Sequence, residues 1–175
     1  MHDIADIKKS FQQGNADLSF EIDGLPIALE EWFTRISIDL SGSANTALLT
    51  YLLMTELTNR KQNCEIHLLN HRRSNSSMIK WLTNYYINNK FHSVVVHQVV
   101  NDNEYWQYAK ENFFINMHYN ASISGRKEDL DRFRFVHYKN QEASPFSYIT
   151  KDWIIKQYID HDIMDLLNHT TWAKE

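Results

Sequence analysis

From residue 35 onward, segments with strand character alternate with segments of helical periodicity, and this alternation restricts the fold more than any other feature. Apolar side chains alternate over 35–40, recur over 64–69 and form a continuous β-branched run within 93–100. Between them, residues 44–57 are apolar nearly all round, and residues 78–86 carry apolar side chains at helical spacing. Such alternation produces a parallel sheet flanked by helices. We therefore predict an α/β protein with a doubly wound, mainly parallel, Rossmann-like sheet.

The second half of the chain continues this pattern with shorter segments. We predict a helix over 103–119, short strands over 121–124 and 132–138, and a final helix from about 150 to 167. The aromatic face of the 103–119 helix is interpreted first as core packing, and the alternative is a homodimer face.

The N-terminal part of the chain has a hairpin signal. Alternating apolar residues flank Asp23 and Gly24, and this pair favours a two-residue β-turn. Pro26 restricts the second strand to an edge position, because proline cannot donate a backbone hydrogen bond. We divide the chain into an N-terminal extension with a hairpin (1–34) and a main domain (35–175).

Composition and charge exclude several classes of protein. The 175 residues include a single cysteine, Cys64, so neither an internal disulfide nor a cysteine-rich zinc site is expected. No apolar run approaches the length of a membrane span, and the first residues lack a signal-peptide pattern, so we expect a cytoplasmic protein without a membrane partner. The net charge of −4 argues against nucleic acid as the main direct ligand, although residues 41–100 are net positive.

The turn over 41–46 is the segment that points to a chemistry. It follows the first predicted strand of the main domain and leads into a helix, so its backbone N–H groups meet the positive end of the helix dipole. Hydroxyl groups of Ser41, Ser43 and Thr46 surround Gly42. This combination favours a phosphate or pyrophosphate group, and the alternative is a polar turn that only caps the helix.

Residues 38–49 resemble the Ser-Gly-Gly-x-Asp-Ser loop region of the PP-loop ATP pyrophosphatases, an adenine nucleotide alpha hydrolase-like family. Residues 145–151 resemble its Pro-Leu-x-x-x-Thr-Lys element, and residues 165–171 resemble its Asp-Leu-Leu-x-x-Thr run. The pattern is most similar to the 7-cyano-7-deazaguanine synthase branch, and the resemblance extends over 36–171.

The resemblance implies a HUP-type nucleotide-binding fold and an ATP- and Mg²⁺-dependent, ligase-type enzyme. Such an enzyme adenylates a carboxylate or carbonyl-type oxygen of a small-molecule substrate and releases pyrophosphate, here in nucleoside biosynthesis or nucleic-acid modification. Carried over to this chain, the site residues fall into three groups. The pyrophosphate end of ATP would contact Ser41, Gly42, Ser43, Asn45, Thr46 and Gly125; adenine would lie near Leu68 and Leu69; and Lys151 would stabilise charge on the reacting phosphates.

Two positions depart from the family loop. Ser43 stands where the family has its second glycine, and Asn45 stands where the family has aspartate. An amide oxygen binds a hard cation more weakly than a carboxylate does, although Asn45 remains a candidate Mg²⁺ ligand together with ATP. Two alternatives on the same fold therefore stay open: a catalytically impaired nucleotide-binding module and a protein-interaction protein.

Arginines and histidines outside the loop provide further candidates. Arg72, Arg73 and Arg126 are candidates for an anion or substrate contact, with a solvated loop as the alternative. His67 and His71 are four residues apart but have no third ligand at a suitable spacing, so no zinc site is predicted.

Overall fold

The computed structural model describes residues 19–71, 75–87, 93–99, 102–123, 136–137 and 141–174. Within these ranges, eight strands form two sheets. The first two strands, β1 (Ser19–Ile22) and β2 (Leu25–Ala28), form an antiparallel hairpin. The other six form one sheet: β3 (Arg35–Leu40), β4 (Glu65–Asn70), β5 (Ser93–Gln98), β6 (Met117–Tyr119), β7 (Val136–His137) and β8 (Glu142–Ala143).

The strands of the main sheet lie in the order β5-β4-β3-β6-β8-β7. The first five are mutually parallel, and the two-residue β7 is antiparallel to β8 at one edge. From β3 the chain moves outward to β4 and β5 and then returns to the other side of β3 to form β6. The strand order therefore reverses between β3 and β6, and a crevice opens there at the carboxyl ends of the strands. The predicted α/β architecture with a mainly parallel sheet and an N-terminal hairpin is confirmed.

The described residues form five α-helices. They are α1 (Ala44–Arg60), α2 (Ser76–Ile87), α3 (Asp102–Asn112), α4 (Lys151–Asp160) and the single turn α5 (Met164–Leu167), and a 3₁₀ turn covers Thr171–Lys174. α1 is buried around most of its circumference, as its apolar sequence predicts.

The main core covers one face of the sheet. Alternate residues of β3 (Ile36, Ile38, Leu40) join Ile66 and Leu68 of β4 and Met117 and Tyr119 of β6 in one buried cluster with α1. Because successive strand residues point to opposite faces, Ser37, Asp39, His67 and His118 lie on the other face. The sheet therefore has an apolar face and a polar face.

The hairpin turn has the backbone that its sequence predicts. Asp23 and Gly24 have positive φ angles of 50° and 84°, as a type I′ turn requires. Leu25, Ile27 and Leu29 are fully buried in the same core as α1, so the hairpin packs against the main sheet's core rather than standing apart from it.

The segment 103–124 folds differently from the prediction. The helix ends at Asn112, and residues 117–119 form β6, whereas residues 121–123 are not in a strand. Phe114 adopts a left-handed φ of 55°, which ends helical geometry, and the Asn116 side chain accepts N–H groups of Thr34 (2.8 Å) and Arg35 (3.0 Å). The helical prediction over 113–119 was therefore wrong, because the Asn116 side chain aligns the following residues with β3.

Three further boundaries differ. The final helix is interrupted at Asp162, whose φ is 54°, so α4 and α5 are separate. Of the predicted 132–138 strand, only Val136–His137 is described as strand, and residues 132–135 and 138 lie outside the described residues. A continuous β-branched run is typical of a strand buried on both faces, but β5 is an edge strand with Val96 46% exposed.

Candidate functional site

The turn between β3 and α1 requires glycine at position 42. Gly42 has a φ of +100°, and a Cβ added there would lie 2.3 Å from the Asn75 side-chain oxygen. Asn75 cannot easily move, because its amide nitrogen donates to the Leu40 carbonyl (3.2 Å) and to the Asn70 side-chain oxygen (2.8 Å). The Asn70 amide in turn donates to Gln98 at 3.0 Å. The side chains of Asn75, Asn70 and Gln98 therefore form a hydrogen-bonded row, the amide line, and its Asn75 end packs against this turn.

Ser43 is the N-cap of α1 and has ordinary extended backbone angles. Its φ of −74° and ψ of 162° are accessible to any residue, so serine is accommodated here without strain in place of the glycine of the family loop. Its hydroxyl accepts the Thr46 N–H at 3.3 Å and the Ser41 hydroxyl at 3.3 Å, and the Thr46 hydroxyl donates to the Ser43 carbonyl at 3.0 Å. The three predicted hydroxyl groups thus meet at the positive end of α1, whose first turn contains no acidic residue.

A cavity of about 670 Å³ lies at the carboxyl ends of β3 and β6, where the strand order reverses. Its lining comes from the loop after β3, the residue after β4, Val99 and the segment after β6: Asp39, Ser41, Ser43, Asn45, Thr46, His71, Val99, Asn120, Ala121, Ser122 and Ile123. The described lining contains one carboxylate and one imidazole but no lysine or arginine. Four of the predicted loop residues therefore share one cavity.

A hydrogen-bonded chain on the polar face ends in this cavity. The Ser37 hydroxyl lies 2.6 Å from His118 Nδ1, and His118 Nε2 lies 3.0 Å from the Asp39 carboxylate. The second oxygen of the Asp39 carboxylate lies 3.3 Å from His71 Nε2. The sheet therefore positions Ser37, Asp39 and His118, and the residue after β4 supplies His71.

The chemistry available to the Ser37–His118–Asp39 chain depends on which of its members can be reached from the cavity. Ser37 is fully buried, and the His118 side chain is 5% exposed, whereas Asp39 lines the cavity. A serine nucleophile must reach its substrate, so this trio is not arranged as the active site of a serine hydrolase. The carboxylate is the member that a ligand can meet.

The Asp39 carboxyl is held in its charged form. Burial acts to raise its pKa, but the hydrogen bonds and charge interactions with His118 and then His71 outweigh burial, and the pKa lies below its ordinary value. A carboxylate with a lowered pKa is a weak base, so its negative charge, rather than proton abstraction, is its main chemical property.

Asn45, another residue of the cavity lining, has an unsatisfied polar atom. The Asn45 residue is half-buried, and its side-chain oxygen is buried without a hydrogen-bond partner among the described residues. Buried acceptors without a partner are rare and costly, so the Asn45 side chain is not stabilised by hydrogen bonding in its present position.

Lys151 is brought to the side of the loop without lining the cavity. The Thr171 N–H donates to the Gly42 carbonyl at 2.9 Å, and the next residue, Trp172, has the Lys151 ammonium 4.4 Å from its ring centroid. Tyr158 lies on α4, as Lys151 does, and its hydroxyl donates to the Ala44 carbonyl at 2.7 Å. The segments around 151 and 171, which the resemblance connects with residues 41–46, therefore contact this part of the fold.

The remaining sequence-predicted residues separate into two groups. Leu68 and Leu69 are buried in β4 and do not line the described cavity. Arg72, Arg73, Gly125 and Arg126 lie outside the described residues.

The sequence did not predict that the cavity would involve Asp39, His71 or His118. A charged residue near the end of a central strand was the available signal for Asp39. No comparable signal existed for His118, because its strand was predicted to be helical.

His67 belongs to a second polar cluster farther along the same face. Its ring lies 2.8 Å from His97 and 2.6 Å from Glu65, and Phe113 packs against both imidazoles. His67 and His71 are therefore in different clusters, the first with Glu65 and His97 and the second with Asp39. In the described ranges, no group of three or more His, Cys, Asp or Glu side chains is arranged to hold a metal ion.

A second cavity, of about 540 Å³, lies between α2 and the carboxyl ends of β4 and β5. Ile79, Thr83 and Val96 contribute to its lining, together with Asn70 and Gln98 of the amide line. Of the sequence-predicted site residues that the structure describes, none lines it.

Comparison with protein-family models and with curated proteins gives no match to this chain. Within the described part of the chain, no helix is both long enough and apolar enough to cross a membrane.

Proposed function

We propose that this chain has a doubly wound, Rossmann-like fold of the PP-loop type and binds ATP in the cavity between β3 and β6. The observation that carries the proposal is the cavity beside the 41–46 turn, because Ser41, Ser43 and Thr46 line it at the positive end of α1, whereas Gly42 is buried against Asn75 and shapes the turn from inside. The strand order supports it, because ligands of open parallel sheets bind where the order reverses. A cavity of about 670 Å³ is within the usual size range of a small-ligand site.

The triphosphate would lie over the loop. Backbone N–H groups of α1 and the hydroxyl groups of Ser41, Ser43 and Thr46 would face its oxygens, after the hydroxyls exchange their present contacts for phosphate contacts. The Asn120–Ile123 side of the cavity would contact the remainder of the nucleotide or a small-molecule substrate.

The proposed reaction is adenylation of a carboxylate or carbonyl-type oxygen. That oxygen attacks the α-phosphorus, the bond between this phosphorus and the oxygen that bridges it to the β-phosphorus breaks, and pyrophosphate leaves with the bridging oxygen. Lys151 would stabilise the charge that develops on the phosphates, since a cation next to transferring phosphoryl groups stabilises the transition state. Its contact with Trp172, which follows the Thr171–Gly42 hydrogen bond, keeps it on the side of the loop.

Mg²⁺ would supply charge neutralisation on the phosphates when bound. Asp39 and Asn45 are the lining residues that would hold it, because their side chains carry the oxygen atoms that a hard cation prefers.

Incubation with Mg-ATP and candidate acids should release AMP and pyrophosphate. Release of ADP and phosphate would contradict this class of reaction. Replacing Gly42 by alanine should abolish nucleotide binding measured by calorimetry and should lower the free energy of unfolding by roughly 1–3 kcal/mol, because alanine is strained at this φ.

Gly24→Ala is the matched control for Gly42→Ala. Gly24 also has a positive φ (84°), so alanine there should be strained as well, but the hairpin turn is not part of the cavity lining. ATP binding should survive in Gly24→Ala, and its loss there would attribute the Gly42 effect to general destabilisation.

A nucleotide-binding module without turnover is the second candidate, and Asn45 favours it. The amide lacks the charge of the family's aspartate, so ATP would bind without release of AMP. In that case Asn45→Asp is expected to produce AMP release that the unchanged chain lacks.

A further inference from the structure

The two edges of the main sheet are formed by strands of different length. β7 is described over two residues, Val136–His137, whereas β5 at the other edge is a six-residue strand, Ser93–Gln98. Natural sheets commonly protect an edge with a very short strand, a proline, a charged side chain or a bulge, because an unprotected edge pairs with other chains. β5 contains no proline and no Asp, Glu, Lys or Arg, and its register with β4 is uninterrupted. This edge therefore has none of the usual protection.

The outward-pointing backbone groups of β5 belong to its even-numbered residues. The Val99 N–H donates to the Asn70 carbonyl at 2.9 Å, and Asn70 is the register partner of Gln98. Backbone groups of alternate residues point to opposite sides of a strand, so those of the odd-numbered residues face β4. The N–H and C=O groups of Val94, Val96 and Gln98 point away from β4, and no described strand pairs with them. This edge therefore presents a row of backbone donors and acceptors.

An apolar side chain is accessible in the middle of the same edge. Val96 is 46% exposed, although Leu68, its register partner on β4, is fully buried. Val96 also lines the second cavity together with Ile79 of α2. Accessible apolar surface beside backbone groups that lack a neighbouring strand is typical of an edge that another strand covers.

The spacing of the outward groups matches that of the same strand running in the opposite direction. When a second β5 lies antiparallel with the two Val96 residues opposite each other, Val94 of each copy lies opposite Gln98 of the other. Each of these opposed pairs exchanges both backbone hydrogen bonds, so all of the outward groups are used. The two copies are then related by a two-fold axis, and the assembly stops at two because the edge is consumed.

The charge of β5 favours a second copy of this chain as the occupant. A two-fold axis places a residue near the axis against its own copy, so a charged side chain there would meet a like charge. β5 carries no Asp, Glu, Lys or Arg, and the residue at the axis is Val96. Opposed β-branched side chains stabilise strand pairing.

We propose that two copies of this chain form a homodimer by antiparallel pairing of their β5 strands, with Val96 at the two-fold axis. The two main sheets thereby become one continuous sheet across the dimer. The inference does not rest on the proposed nucleotide site, because the paired edge lies two strands away from β3.

The association state and the exchange of backbone amides test the proposal together. Sedimentation velocity on the full chain, from micromolar to submillimolar concentration, should show a dimer. Amide hydrogen exchange resolved by NMR should show protection at Val94, Val96 and Gln98 in proportion to the dimer that is present. The Val95 and His97 amides, which face β4, should be protected in monomer and dimer alike.

Val96→Lys is the variant that separates the two copies. It places two like charges opposite each other and removes the valine pair, so dimerisation should weaken about tenfold or more. Protection at Val94 and Gln98 should fall with the dimer. Ile159→Lys is the matched control, since Ile159 is an exposed apolar side chain on α4 rather than on β5, and it should leave dimerisation unchanged.

Three results would overturn the proposal. The first is a chain that stays monomeric over the whole concentration range. The second is a dimer in which the Val94, Val96 and Gln98 amides exchange as fast as unpaired amides, because such a dimer uses another surface. The third is a dimer that Ile159→Lys weakens as much as Val96→Lys does. If Val96→Lys fails to fold, amide exchange in the unchanged chain decides the question without a substitution.

Discussion

The two faces of the main sheet are built on different physical principles. The apolar face is filled by Ile36, Ile38 and Leu40 of β3 and their neighbours, and it is stabilised by removal of apolar surface from water. The polar face of the same strand carries Ser37 and Asp39, whose neighbours are held by directional hydrogen bonds. A single strand thus contributes alternate residues to the stability of the fold and to the candidate site.

The polar face has a further consequence for specificity of the fold. Buried polar groups are costly unless each finds a partner, so the pairs Ser37–His118 and His67–His97 restrict how β3, β4, β5 and β6 can be aligned. On the apolar face the cost of a substitution depends on the volume removed, whereas on the polar face it depends on whether a buried group loses its partner. The following predictions test this difference, beginning with the largest expected effect.

Truncation on the apolar face should cost the most. Ile38 is fully buried in the central strand, so Ile38→Ala is expected to lower the free energy of unfolding by about 2–5 kcal/mol, through lost burial and the cavity that remains. Urea denaturation measures the difference. Val96→Ala is the control, because Val96 is 46% exposed on the edge strand and its truncation should cost about 0.5 kcal/mol or slightly more.

Substitutions on the polar face should lower the free energy of unfolding by less, and the effects of substituting two hydrogen-bonded partners should be strongly coupled. His118→Leu leaves the buried Ser37 hydroxyl without its imidazole partner, and we expect a loss of about 1–3 kcal/mol. Ser37→Ala should also destabilise, because it removes the partner of His118 Nδ1. The double variant should cost less than the two single changes together, since both partners are then apolar or absent. Additive costs in this double-mutant cycle would show that the pair is not coupled.

The smallest effect on the free energy of unfolding is expected in the second polar cluster, that of Glu65, His67 and His97. This effect depends on pH. Burial lowers the pKa of His97, the nearby His67 lowers it further, and Glu65 opposes both. The unfolded chain therefore binds more protons than the folded chain between the folded pKa and about 6.5. Stability contributed by neutral His97 is fully present above about pH 6.5 and declines as the pH falls through that window.

His97→Gln is the variant that isolates this contribution. Urea denaturation between pH 5 and pH 8 should give a shallower loss of stability in the variant than in the unchanged chain. The comparison is needed because burial also lowers the pKa of His161, so the unchanged chain contains more than one source of pH dependence. Parallel pH profiles for the two proteins would rule out His97 as a source.

The sequence predicted the parts of the fold that are encoded locally. The strand at 35–40, the helix from 44 and the turn at Asp23–Gly24 were all predicted, because each depends on periodicity or turn chemistry within a few residues. β6 was missed since two patterns overlap there. Ile115, Met117 and Tyr119 alternate as in a strand, but Met117 also continues the helical spacing of Ala109 and Phe113.

The sequence predicted the loop of the candidate site, residues 41–46, but it did not predict the Asp39 carboxylate. Residues 41–46 are contiguous in the chain, so their hydroxyl groups could be recognised together. The pairing of Ser37 with His118 joins residues 81 positions apart, and it depends on which strand lies beside β3. No single-sequence pattern contains that information.

The hydrogen bond from Thr171 to the Gly42 carbonyl has a consequence for synthesis of the protein on the ribosome. The loop after the first strand of the main sheet is translated before the other five strands of that sheet, whereas its partner follows all of them. A nascent chain can therefore assemble the hairpin, β3 and α1 while this carbonyl still faces water. Its hydrogen bond to Thr171 can form only after residue 171 has been translated and has left the tunnel.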